Sequence, residues 1–233
     1  MVFKRGAISA WGSAPAVLIS IVIVVFLAIV GWYFSNNLFL MNTASMRIVF
    51  ELVPLVFLFF VPAVTMRLLA EEKKSGTLEL LTTKPVRDVE IVMGKFLAAW
   101  TLLGATLAPT LVYLVTLMLL GAPDLGPVVS GYLGLMLTGG VYIAIGIFAS
   151  SLTENQIVAF LIGMVIILAF FLADKVLLYM PGAIAPAVEY LGIDYHFSNI
   201  ARGVIDSRDI IYFGSVLGFA LMTATASLER RKW

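Results

Sequence analysis

Residues 128–152 read VVSGYLGLMLTGGVYIAIGIFASSL, 25 consecutive residues without a charge. At about 1.5 Å per residue a helix of that length exceeds the about 30 Å hydrocarbon core of a bilayer. The run is continuously apolar rather than alternating, which argues against a barrel strand. Inside lipid the backbone must satisfy its own N–H and C=O groups, so the run is a helix. Five more runs share the pattern. Val17–Phe34 (18 residues), Phe96–Leu120 (25), Ile157–Ala173 (17) and Ile210–Leu228 (19) carry no charge, and Ile48–Met66 (19) carries one, Glu51. The expected fold is an all-α integral membrane protein of six spans forming one domain over residues 1–233.

Bulk composition agrees. The chain has 233 residues, 61% hydrophobic and 12% charged, against about 45–50% and 25% in soluble domains. A soluble enzyme and a disordered chain are thereby disfavoured. A net charge of +1 gives no field for nucleic acid. Cysteine is absent and histidine occurs once, so thiolate chemistry and multi-His metal sites have no ligands. Eleven basic residues lie before span one, between spans two and three, and after span six; only Arg47, Lys175, Arg202 and Arg208 lie on the other side. The positive-inside rule then puts both termini in the cytoplasm. Trp11, Trp32, Trp100 and Trp233 fall near span ends, as interfacial belts require. The first run is longer than a signal-peptide core and reads as an uncleaved anchor.

Charge concentrates between Arg67 and Lys95, where 11 of 29 residues are charged. Span two is expected to continue as helix to about Lys74, with Gly76 stopping it in a left-handed conformation. Thr77 can cap a short helix, Leu78–Thr83, with Glu79 in its first turn. Pro85 ends it, and Asp88 can cap the helix that becomes span three, with Glu90 in its first turn. Leu78 and Leu81 share a face of the short helix. Such a helix can plug a groove on a partner or lie on lipid headgroups as an amphipathic elbow; its chemistry alone leaves both open.

The stretch from Glu71 to Val86, EEKKSGTLELLTTKPV, resembles the signature of type-2 ABC transporter permeases. Ile91-Val92-Met93-Gly94-Lys95-Phe96 resembles the family's approach to span three. Ser150-Ser151-Leu152-Thr153-Glu154-Asn155-Gln156 resembles its turn between spans four and five. His196-Phe197 and Arg202–Phe213 resemble the stretch leading into span six. The motifs are most similar to the gliding-motility-associated subgroup, and the resemblance covers about residues 15–233. One departure is the N-terminus: Phe3–Trp11 has no acid, and Ser13-Ala14-Pro15 replaces a direct Ser-Pro.

The resemblance implies a plasma (inner) membrane permease whose coupling helix docks on a separate ATP-binding subunit. Glu71, Glu72, Ser75, Gly76, Thr77, Leu78, Glu79, Leu81 and Pro85 would form that contact. Two ATPase copies, carrying ATP and Mg, would pair with this chain and a second permease, identical or related. The chain itself would bind no cofactor. Gly94-Lys95-Phe96 lacks the spacing and the Ser/Thr of a P-loop.

On the external side, Val176–Met180 and Ile184–Leu191 are apolar but too short to span, and Pro181, Gly182 and Pro186 break them. That pattern fits a re-entrant hairpin, which the resemblance also implies, as an outer gate. Glu51 is the single intramembrane charge and a candidate for the transport path, although it sits near the outer end of its span. His196, without a second histidine or cysteine, reads as a polar loop contact. Gly140 with Ala144, and Gly146 with Ser150, allow close helix packing, inside the chain or at a dimer seam. Pro54, Pro62 and Pro109 are expected to kink their helices. Asn155 and Gln156 read as the cap of span five.

Three functions compete. A permease needs a partner ATPase. An intramembrane enzyme needs an acid–base pair or metal cluster, and the six runs contain no histidine or aspartate. An uncoupled channel or assembly scaffold would lack the ATPase.

Overall fold

The computed structural model describes residues 14–40, 45–76, 87–121, 123–173, 175 and 185–229. Every regular element among them is helical. In chain order these are α1 (Ala14–Phe39), α2 (Arg47–Thr65), α3 (Arg67–Lys74), α4 (Asp88–Leu107), a 3-10 turn (Ala108–Thr110) and α5 (Leu111–Leu120). They continue with α6 (Leu125–Leu152), α7 (Gln156–Leu172), α8 (Ala185–Leu191), α9 (Ile193–Ala201) and α10 (Ser207–Glu229). Five helical stretches are long and apolar enough to cross a membrane, with α2–α3 and α4–α5 each counted as one; α7, at 17 residues, is apolar but shorter.

Local chemistry accounts for the boundaries. Asp124 caps α6, its carboxylate accepting from Gly126 N at 3.1 Å. Asn155 caps α7 as expected, accepting from Ile157 N at 2.9 Å. Such caps satisfy N–H groups that a helix start leaves open. Gly76 closes the turn after α3 with φ +69°, where a side chain is disfavoured. Pro109 cannot donate to the helical ladder, and the chain tightens into the 3-10 turn there. The Thr110 hydroxyl donates to Leu107 O at 2.6 Å across that kink.

One expectation is corrected. Asp88 is the first residue of α4, not its cap; Arg87 holds the cap position, and its N–H donates to the Glu90 carboxylate at 3.1 Å. Trp100 has a specific partner inside the bundle. Its half-buried indole N–H donates to Met136 O at 3.0 Å, pinning α4 against the middle of α6.

Helix α6 is the axis. It packs against α2, α3, α4, α7, α9 and α10, and 78% of its apolar window is buried, against 17% for α1. A helix apolar all round belongs in such a central position. Glycines bring the neighbours close: a Cβ at Gly139 would overlap Leu103 of α4, and one at Gly146 would overlap Thr65 of α2. Small residues at helix contacts serve this purpose where lipid supplies no hydrophobic drive for association. Phe26 of α1 packs on Phe57 and Phe60 of α2, with ring centroids 5.9 and 5.2 Å apart. The outward faces carry large exposed apolar side chains, among them Val24, Trp32, Phe59, Leu119, Ile157 and Phe219. In water such surface would drive aggregation; against acyl chains it needs no cover.

Candidate functional site

The polar chemistry of the bundle gathers where α2 passes into α3. The α-helix breaks at Met66, so N–H and C=O groups near the break lack their usual intrahelical partners. One side chain from α6 meets them. Ser150 Oγ accepts from Leu69 N at 3.0 Å and Ala70 N at 2.9 Å, and donates to Met66 O at 2.9 Å. Ser150, Leu69 and Ala70 are all fully buried. Beside this knot the Thr65 hydroxyl donates to Val61 O at 2.9 Å, and Thr65 fills the space that Gly146 leaves.

Basic residues fasten the next turn. Lys73, buried to 8% exposure, donates to Ser151 O near the C-terminus of α6. The Ser227 hydroxyl of α10 donates to the same carbonyl at 3.2 Å. A cation there also suits the negative end of the α6 dipole. Lys95 of α4 pairs with Glu72 at 2.6 Å and donates to Leu68 O. Both side chains are largely shielded, at 16% and 31% exposure, so this pair is stronger than a solvated one. Helix α3 and the first turns of α4 thus form two arms of an elbow, held to each other and to the ends of α6 and α10.

Of the residues singled out on the sequence, Glu71, Glu72, Ser75 and Gly76 lie on the first arm. Glu71 and Ser75 are exposed. Ser75 Oγ donates to Glu72 O at 3.3 Å, closing the helix end. Thr77, Leu78, Glu79, Leu81 and Pro85, with the expected short helix Leu78–Thr83, lie outside the described residues, in the segment joining the two arms. Ser150 and Ser151 stand in a motif that carried the resemblance, but their bonding partners are about 80 residues upstream. No local periodicity signals such contacts.

The opposite end of the bundle holds a second polar group. Glu51 pairs with Arg47 at 2.9 Å, both about two-thirds exposed, a pair of little energetic weight. They line a cavity of about 370 Å³ with Lys175, Asp194 and Arg202. Lys175 pairs with Asp194 at 2.7 Å. Pro181 and Gly182 lie outside the described residues; Pro186 falls within α8.

His196 is not a loop contact. It lies in α9, 1% exposed, with Nδ1 2.6 Å from Asp209 Oδ1 and Nε2 3.0 Å from Tyr190 O. The carbonyl only accepts, so Nε2 carries a proton. On the other side of the ring, Nδ1 meets the Asp209 carboxylate. The imidazole also stacks on Tyr212, centroids 3.9 Å apart, and Tyr212 OH donates to Leu191 O at 2.6 Å. This cluster locks α8 and α9 onto α10. Among the described residues no group of three or more His, Asp or Glu is placed to hold a metal.

Comparison with known proteins places this architecture. The comparison with curated proteins finds no match. The family model for the ABC-2 family transporter protein matches residues 36–192, about two thirds of the chain. That stretch runs from the end of α1 through the elbow, α6 and α7 to the end of α8. The chain therefore belongs to the ABC-2 transporter family and is a multi-pass membrane permease of an ABC transporter.

Proposed function

We propose that this permease is driven by a separate ATP-binding subunit that docks on the segment between α3 and α4. The observation that carries the reading is the elbow. Both of its arms are bonded, through Lys73, Lys95 and Ser150, to each other or to the C-terminal end of the central helix. A push on residues 77–86 would therefore reach α6 directly rather than dissipate in a loosely held loop. Leu78 and Leu81, framed by charges, supply the apolar contact for the partner's groove, and exposed Glu71 supplies charge beside it.

In this reading α7 also crosses the membrane, as the fifth of six spans, both termini are cytoplasmic, and the protein sits in the plasma membrane. Two ATPase copies, holding ATP and Mg, serve a pair of permeases, and substrate leaves between them. Pro181, Gly182 and Pro186 belong to a re-entrant hairpin at the outer end, with Glu51 beside the path. The motifs favour the gliding-motility-associated subgroup.

The test is ATP hydrolysis by the complex purified in mild detergent. Leu78→Asp is expected to lower permease-stimulated turnover by at least about ten-fold, since desolvating an unpaired charge in a docking groove costs more than about 1.4 kcal/mol; Glu71→Lys with Glu72→Lys should lower it as well, by reversing the charge beside the segment and breaking the Glu72–Lys95 pair that joins the arms. The thermal midpoint of the Leu78→Asp permease alone should hold. Unchanged stimulation in both variants rules out this docking segment. Absence of any co-purifying ATPase favours a channel or scaffold.

A further inference from the structure

The charged cavity at the end of the bundle opposite α3 does not stand alone. Its two acids are engaged, Glu51 with Arg47 and Asp194 with Lys175. The third cation, Arg202, has no carboxylate partner among the described residues, and it is exposed. Arg47 and Arg202 also line an adjoining cavity of about 300 Å³. The acid there, Asp124, already accepts from Gly126 N as the α6 cap. Among the described residues, the lining of the larger cavity therefore carries one positive charge more than its acids balance.

Leu55 lines that cavity and also a groove of about 530 Å³ between α1, α2 and α7. The groove walls are apolar throughout, including Val25, Ile29, Leu52, Phe59 and Ala63. From Leu52 to Ala63 helix α2 rises about 16 Å, roughly half of the about 30 Å hydrocarbon core. A cationic cleft thus continues into an apolar channel one leaflet deep.

We propose that cleft and groove are one binding site for an anionic phospholipid, such as phosphatidylglycerol. A small soluble anion would use the cleft alone, and a neutral hydrocarbon the groove alone. A phosphodiester with one negative charge balances the cleft, and guanidinium groups suit its paired oxygens. One acyl chain then lies along Leu55 and Phe59. A zwitterionic lipid would bring an ammonium to a site that is already cation-rich. The leaflet is the outer one if both termini are cytoplasmic, but the site itself does not depend on the transport reading.

Native mass spectrometry of the full chain, released from mixed micelles, tests this. Phosphatidylglycerol and phosphatidylethanolamine with matched acyl chains compete at equal mole fraction. The expected result is one retained phosphatidylglycerol per chain, favoured by about ten-fold, and lost by about ten-fold in Arg202→Ala, as for one charge-assisted contact. Arg202→Lys should keep most retention. Glycerophosphoglycerol, the same headgroup without acyl chains, should fail to displace the lipid. The thermal midpoint of Arg202→Ala serves as the folding control and should not move. Equal retention of both lipids, or unchanged retention in Arg202→Ala, overturns the proposal. So does displacement by the soluble headgroup, or a two-chain mass carrying no lipid, which would mean that a second copy covers the groove.

Discussion

Replacing Ser150 by Ala should cost the folded protein about 2–4 kcal/mol, because two buried N–H groups and one carbonyl lose their partner together. The cost comes from the unmet backbone rather than from the hydroxyl. Leu69 N, Ala70 N and Met66 O flank a helix break, and the site is too buried for bulk water to replace the serine. The methyl of alanine fits the space already occupied, so overpacking does not complicate the result. Ser150→Thr keeps the hydroxyl but adds a methyl group. The measurement is the apparent unfolding free energy, or the thermal midpoint in one fixed detergent. A loss below about 0.5 kcal/mol, the range of ordinary surface substitutions, would show that the break finds other partners.

His196→Ala should cost about as much or more, about 3–5 kcal/mol, since it strands one member of a buried charged or proton-sharing pair. Asp209 is 3% exposed, and its second oxygen, Oδ2, is buried with no hydrogen-bond partner. Loss of the imidazole also removes the stacking surface under Tyr212. The companion variant distinguishes polar stranding from lost volume: His196→Phe with Asp209→Leu removes both polar partners and should lose less than His196→Ala. If the double variant is the less stable, packing and not the buried pair holds α9 on α10.

How far these sites were legible depends on the distance over which their partners act. Span positions follow from apolar length, a local property, and the ends fell within a few residues for α6 and α7. Gly76 and Asn155 were readable for the same reason: a left-handed stop and a side-chain cap involve neighbours in sequence. Helix α9 was missed because Asp194, His196, Ser198 and Asn199 interrupt its apolar run. Ile193, Phe197 and Ile200, all buried, still carried the three- and four-residue spacing of a helix face. The partner of Trp100 was not legible either, because its N–H meets a carbonyl 36 residues away in α6. The Ser150 knot and the His196–Asp209 pair join residues about 80 and 13 apart. Only the packed bundle brings them together.

In the proposed function the segment between α3 and α4 meets an ATP-binding subunit. A photo-crosslinking residue placed at position 78, with a matched one at position 202 as the opposite-end control, measures it most directly in intact membranes. A crosslinked product of permease plus ATP-binding subunit is expected from position 78 and none from position 202. Crosslinks from position 78 to lipid alone would contradict it, and would make residues 77–86 an elbow resting on the membrane surface.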